Sequence, residues 1–273
     1  MILSIVILSY NTKDLVISSI DSLLKHYKDE LEEDKFEIIV VDNASEKETI
    51  DAISSKLNNI KNVRLIKSKE NLGFGKGCNL GTDNAHGEYV LFLNSDTLVS
   101  DKGFLKMADF LKSNPKVAIL GGKLINFDGT PQASVGKFYN MINFFIMLFG
   151  GEKHGLLRSS PKKTQKVDWV SGACMMVSKK SFDLIGGFDK NIFMYLEDME
   201  LSYRARKKGY ETYFFPNSQV KHKEFGSSDR TFAIINIYKG LLYFYKKNKS
   251  FLEYIVVWIS LFLKALGVYI LGR

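Results

Sequence analysis

A chain of 273 residues with 45% hydrophobic and 25% charged side chains and four prolines is long enough to bury a full core, and its ordinary globular composition excludes disordered, collagen-like and low-complexity proteins. The formal net charge of +8 is unevenly placed: residues 204–273 hold 13 of the 38 basic and 4 of the 30 acidic side chains, so the whole surplus lies in that last quarter. This disfavours a uniformly basic nucleic-acid binder and points to a near-neutral body with a basic tail, suited to anionic lipid or phosphorylated substrates.

The chain starts MILSIVILSY, with no basic n-region and too short an apolar run for a signal peptide, so the body is expected to be cytoplasmic. Short aliphatic runs at residues 2–8, 36–41, 63–67, 89–93 and 116–120 alternate with segments of helical period, such as Leu15, Ile20, Leu23 and Leu24. Strands alternating with helices imply βαβ units and a Rossmann-like, mostly parallel sheet flanked by helices. Ligands of such sheets bind beyond the carboxyl ends of the strands. The residues there are Ser9-Tyr10-Asn11-Thr12, Asp42-Asn43-Ala44-Ser45, the glycine-rich stretch 70–77, and Asn94-Ser95-Asp96-Thr97. No glycine follows the first strand, which excludes the G-x-G-x-x-G dinucleotide device, and Gly73-Phe74-Gly75-Lys76-Gly77-Cys78 lacks P-loop spacing. Residues 121–165 read as irregular. The 13-residue apolar run at 138–150 is too short to span a bilayer and fits a core helix or an interfacial segment. Cys78 and Cys174 adjoin small or apolar residues and read as buried thiols in a reducing compartment.

Five segments carry a resemblance: SIVILSYNT (4–12), EIIVVDNAS (37–45), NLGFGKGCNLG (71–81), YVLFLNSDT (89–97) and, within 167–210, GGFDKNIFMYLEDMELSYRARKKGY. Together they resemble the family 2 glycosyltransferases of the GT-A fold, and among these the rhamnosyltransferase-like branch, over about residues 1–225. The resemblance implies an inverting transfer of a sugar from a dTDP- or UDP-sugar to a hydroxyl of a cell-surface glycan precursor, plausibly lipid-linked. Such a reaction needs a held nucleotide, a neutralised diphosphate and a base for the acceptor proton. Asp42 ends the second strand, where a carboxylate accepts hydrogen bonds from the pyrimidine or ribose; capping of the next helix by Asp42 or Ser45 is the alternative. Ser9, Tyr10, Asn11 and Asn43 line the same donor pocket, and Asn71, Gly73 and Gly75 bring backbone close to it. Asn94-Ser95-Asp96 stands where the family has D-x-D. This makes Asp96 the expected ligand of Mn²⁺ or Mg²⁺, while Asn94 supplies an amide instead of a charge. In the family the Asp of the Glu197-Asp198 pair is the general base, and Glu197 orients the acceptor or backbone. His222 matches a second metal ligand, followed by a Gly226-Ser227-Ser228 loop. Lys221, Lys223 and Arg230 are candidates to close over diphosphate. Trp169 and Gly172 are the candidate acceptor residues, with a half-buried core tryptophan as the alternative. The Asn94 departure also allows a catalytically idle nucleotide-sugar-binding scaffold.

The domain reading is a GT-A catalytic domain over 1–228 and a helical appendage over 229–273. Residues 231–245 are aliphatic and aromatic at helical spacing, Lys246, Lys247 and Lys249 follow, and residues 254–271 are apolar except for Lys264, with Arg273 closing the chain. A lysine inside a span costs roughly 2.5–3.5 kcal/mol. A helix lying in the inner membrane surface, Lys264 snorkelling and Trp258 in the headgroup zone, avoids that cost. Packing on the core or on a second subunit, as a homodimer, is the alternative.

Overall fold

The computed structural model describes residues 1–223 and 230–271, with no side-chain detail for residues 152, 153, 230 and 268–271. The Gly226-Ser227-Ser228 loop, the Arg230 side chain, Arg273 and the 228/229 domain boundary lie outside the described residues.

The strands β1 (Leu3–Ser9), β2 (Phe36–Asp42), β3 (Val63–Lys67) and β4 (Tyr89–Asn94) alternate with helices α1 (Lys13–Glu32), α2 (Lys47–Leu57) and α3 (Gly73–Asp83). Next come β5 (Thr97–Val99), α4 (Gly103–Ser113), β6 (Val117–Ile125), β7 (Pro131–Gln132), β8 (Val135–Gly136), α5 (Met141–Leu148), β9 (Arg158–Ser159), β10 (Gln165–Val167) and β11 (Trp169–Val170). The chain continues through β12 (Cys174–Ser178), α6 (Lys179–Ile185), α7 (Glu197–Lys207) and β13 (Glu211–His222) to α8 (Arg230–Asn248) and α9 (Phe251–Leu271). Residues 121–165 are therefore more regular than their sequence suggests.

The main sheet has the order β10-β13-β6-β12-β4-β1-β2-β3, with β5 on β13 and β7 on β6; β11-β8-β9 form a small second sheet. Strands β3, β2, β1 and β4 pair in parallel. β12 is antiparallel to both β4 and β6, and β13 is parallel to β6, so β6 and β13 point the same way as the first four. Six carboxyl ends thus share one edge, and β12 enters the sheet there.

Alternate strand residues face opposite sides. Leu3, Ile5 and Ile7 join α1, α2 and α4 in one core, through Ile20, Ile53 and Phe104, while Val6 joins Cys78 of α3 and Leu201 of α7 in the other. Both cysteines are free and buried. The glycines at 73–77, read from sequence as a loop near the donor, instead open α3. A methyl at Gly77 would strike Leu8, and one at Gly81 would strike Val6. The glycines let α3 lie close against β1, which outweighs their poor helix propensity.

A third cluster unites Phe138, Phe144, Trp169 and Met199 with Leu241 and Phe244 of α8 and Val257 of α9. Among the described residues no helix is long and apolar enough to cross a membrane. The apolar run at 138–150 is two-sided: Phe144 is buried, whereas Ile142 and Phe149 are exposed. The Lys264 ammonium donates to the Leu148 carbonyl oxygen (2.6 Å), setting positive charge at the carboxyl end of α5.

Candidate active site

Register brings the site together. Ser9 lies opposite Asp42, and Leu8 opposite Asn94, so the loops after β1, β2 and β4 share one rim. Asp42 is fully buried, and one carboxylate oxygen accepts the Ser45 N–H (3.1 Å) while the other has no partner among the described residues. An unmet buried carboxylate oxygen is costly and marks a place for a ligand donor. Helix α2 starts at Lys47 with no side-chain cap, so neither Asp42 nor Ser45 caps it.

The other donor-side candidates divide into two groups. Ser9 is buried, its hydroxyl 3.2 Å from that of Thr12, and Tyr10 is exposed at the rim. Asn11, Asn43 and Asn71 fasten loops together. Asn11 adopts φ 53°, gives its N–H to the Ser45 hydroxyl and accepts from the Glu46 N–H, both at 2.9 Å. The Asn43 amide donates to the Asn71 side chain (2.8 Å) and the Gly73 carbonyl (3.2 Å) and accepts from the Leu72 N–H (2.9 Å). Gly73 (φ 76°) is pressed against Phe193, and Gly75 faces Phe188, where a Cβ would lie 3.0 Å away.

At the end of β4, His222 Nε2 lies 3.3 Å from the buried Asp96 carboxylate and 3.4 Å from the Asn94 amide. Among the described residues that Asp96 oxygen is buried without a hydrogen bond. His222 Nδ1 lies 2.7 Å from Gln132 Oε1. The Gln132 amide is oriented by its own donation to Asn126 Oδ1 (3.1 Å). The glutamine oxygen can only accept, so Nδ1 carries a hydrogen, and in the neutral ring Nε2 is the nitrogen that presents its lone pair toward Asp96. A lone pair facing an unpaired carboxylate oxygen fits a shared divalent cation, and the Nδ1–H bond is the usual support of a metal-ligating histidine. Among the described residues no three His, Cys, Asp or Glu converge, so Asp96 and His222 would leave the remaining coordination positions to diphosphate and water. The Lys223 N–H donates to the Asp96 carbonyl (3.2 Å), which sets Lys223 beside the pair; Lys221 lies on β13 opposite Leu98.

Across the rim, Glu197 and Asp198 open α7. Asp198 accepts the Met199 N–H (2.7 Å) on one oxygen and the Gly172 N–H (3.1 Å) on the other. Gly172 stands on the turn that feeds β12, and a Cβ there would press on Phe74. Glu197 is buried, and one of its oxygens has no partner. Burial and the Asp198 charge push its carboxyl up to about 8. Burial also raises Asp198, opposed by the two backbone donors and the Arg158 guanidinium. The two carboxyls titrate as one coupled pair, with burial raising both.

Trp169 is buried: its indole N–H donates to the Lys137 carbonyl (3.1 Å), and the Arg158 guanidinium lies 5.4 Å over its ring. That is the core-tryptophan alternative. Gln132 and Arg158 escaped sequence reading. Both lie in the stretch taken as irregular, and no motif spacing signals a hairpin glutamine that meets a histidine 90 residues later.

The glycosyl transferase family 2 profile matches residues 4–186. The chain belongs to glycosyl transferase family 2. It is similar to the N-acetylglucosaminyl-diphospho-decaprenol L-rhamnosyltransferase of Mycobacterium tuberculosis, 26% identical over 220 residues, covering 71% of this chain and 68% of that enzyme. It is also similar to the rhamnosyltransferase WbbL of Escherichia coli K12, 28% identical over 141 residues, covering 50% of this chain and 53% of WbbL. The Pyrobaculum calidifontis mannosyltransferase PcManGT, solved with GDP-Man and Mn²⁺, superposes with a TM-score of 0.62 at 17% identity, over 90% of this chain and 63% of that one. This chain is thus a glycosyltransferase with the GT-A architecture. The family match takes in every donor-side residue above, whereas Glu197, Asp198 and His222 lie beyond it.

Proposed function

We propose that this family 2 enzyme is an inverting, divalent-cation-assisted transferase that moves a sugar, with rhamnose the leading candidate, from a dTDP- or UDP-sugar to a hydroxyl of a lipid-linked glycan precursor. The observation that carries the reading is the placement of two unpaired buried carboxylate oxygens, on Asp42 and Asp96, on the rim that also holds Asp198. Asp42 holds the pyrimidine or ribose through its free oxygen. Asp96 and His222 would hold Mn²⁺ or Mg²⁺ with the diphosphate, and the cation would stabilise the negative charge of the leaving group. Asp198 takes the acceptor proton; the Gly172 and Met199 N–H bonds aim it and favour its charged form against the rise that burial causes. Rhamnose and the lipid-linked diphosphate acceptor rest on the names of the mycobacterial and E. coli relatives.

The tail supports a reading in which this chemistry takes place at the inner membrane surface. Phe149 (83% exposed), Ile142, Phe251, Leu252, Phe262 and Leu263 offer large apolar side chains from α5 and α9, joined by the Lys264–Leu148 bond. A homodimer through these faces is the competing arrangement. A thermal-shift screen of dTDP- and UDP-sugars with and without Mn²⁺ tests the donor, because stabilisation grows with ligand excess over Kd. Transfer assays on Asp198→Asn test the base: turnover should be lost while donor-induced stabilisation stays, and retained turnover would sink the assignment.

A further inference from the structure

Tyr195 and Leu196 stand immediately before the carboxyl pair, and both adopt φ 67°. Two successive side-chain-bearing residues in the left-handed region persist only where their surroundings over-determine them. The turn is gripped from two sides. On one, the Phe193 carbonyl accepts the Phe74 N–H of α3 (2.8 Å). On the other stands α8. Gly240 faces the turn so closely that a Cβ would lie 3.3 Å from the Tyr195 carbonyl oxygen and 3.4 Å from Leu196 Cβ.

Helix α8 is itself anchored around the pair. Lys247 bonds the fully buried Glu200 of α7 (2.8 Å) and Asp189 (2.5 Å). The Tyr243 hydroxyl donates to Asp189 (2.9 Å) and accepts from the Asn191 amide (3.1 Å). Leu196 packs on the cluster that holds Leu241 and Phe244 of α8. Asp198 lies two residues past the strained turn, and its two backbone donors set its direction. None of the contacts described for Asp42, Asp96 or His222 involves α8.

We propose that α8 is a positioning element for the Glu197–Asp198 pair, with Gly240 as the residue that lets the helix close on the Tyr195–Leu196 turn and so aims Asp198 at the acceptor. This rests on the reading of Asp198 as the base. It makes the basic, apolar tail part of the acceptor half of the site and not only an address.

The test compares Gly240→Val, Gly240→Ala and Lys247→Met with the parent chain. Amide hydrogen exchange needs no substrate: Gly240→Val should speed exchange at Gly172 and Met199 and leave residues 42–45 unchanged. In transfer from dTDP-rhamnose to an N-acetylglucosaminyl-diphospho-lipid with Mn²⁺, kcat should fall at least about ten-fold for valine and less for Lys247→Met. Alanine should stay within about two-fold, and donor KM and stabilisation by dTDP with Mn²⁺ should hold in all three. The proposal is overturned if valine leaves exchange at Gly172 and Met199 unchanged, or if kcat and donor binding fall together. Should valine prevent folding, Lys247→Met decides by the same criteria. Asp198→Asn separates the two readings: retained turnover there removes the base, whereas lost turnover beside an active Gly240→Val removes only the positioning role.

Discussion

Glu197 couples the candidate chemistry to stability. The folded chain keeps its proton up to about pH 8, whereas the unfolded chain releases it near the ordinary 4.5. Between those values the native state binds more protons, so stability falls as pH rises. Glu197→Gln is neutral at every pH and should flatten the decline. Melting temperatures at pH 5 and pH 8 measure it, and an unchanged slope would count against a neutral Glu197. At the cation site, Gln132→Leu frees the His222 ring and should weaken Mn²⁺ binding about 10–100-fold, read by electron paramagnetic resonance titration with dTDP present. Equal affinity would show that the Gln132 bond does not support the ligand.

At the scale of elements, α3 shows how tertiary contact overrides propensity. Its glycines bring the helix against Leu8 and Val6, so Gly81→Val should overpack that contact and cost about 1–3 kcal/mol, visible as a lowered urea midpoint with unchanged slope. A midpoint equal to that of the parent would mean that α3 can move away freely. The ends of β1, β2 and β4 were legible because aliphatic runs stop at Ser9, Asp42 and Asn94. The start of α7 was legible from its acidic first turn and helical period. Helix α3 was not, because glycines at 73, 75 and 77 read as a loop until the strand beneath them is known. Gln132 and Arg158 were illegible for a different reason: their roles arise from a hairpin and a small sheet that bring distant segments together. For Trp169 the sequence leaves acceptor contact and core open, because whether a tryptophan faces solvent or core depends on what covers it, here Arg158 and the α8 cluster.

At the scale of the whole molecule, the net charge and the exposed apolar side chains meet at the C-terminal helices. Vesicles containing phosphatidylglycerol should sediment the chain, and neutral vesicles should do so less well. Phe149→Ser combined with Phe262→Ser should reduce binding several-fold without lowering the melting temperature, because both rings are exposed. Unchanged sedimentation would shift the apolar face toward a subunit contact, which the oligomeric mass of the same variant would report.

β12 runs against its neighbours and enters the sheet where β6 leaves it, so residues 126–173 form one excursion that starts and finishes on the ligand-facing rim. Replacing the segment would remove β7 and the edge strand β10 but leave the order β13-β6-β12-β4-β1-β2-β3 that supports Asp42 and Asp96. Its obligations to the rest of the fold include a group that takes the His222 N–H, as Gln132 does, a backbone donor for Asp198, as Gly172 is, a carbonyl for the Asn94 N–H, as Ala173 has, and apolar side chains for the α8 cluster. Chimeras that honour these obligations should keep this chain's stabilisation by its nucleotide, and a changed acceptor in them would assign acceptor choice to this segment.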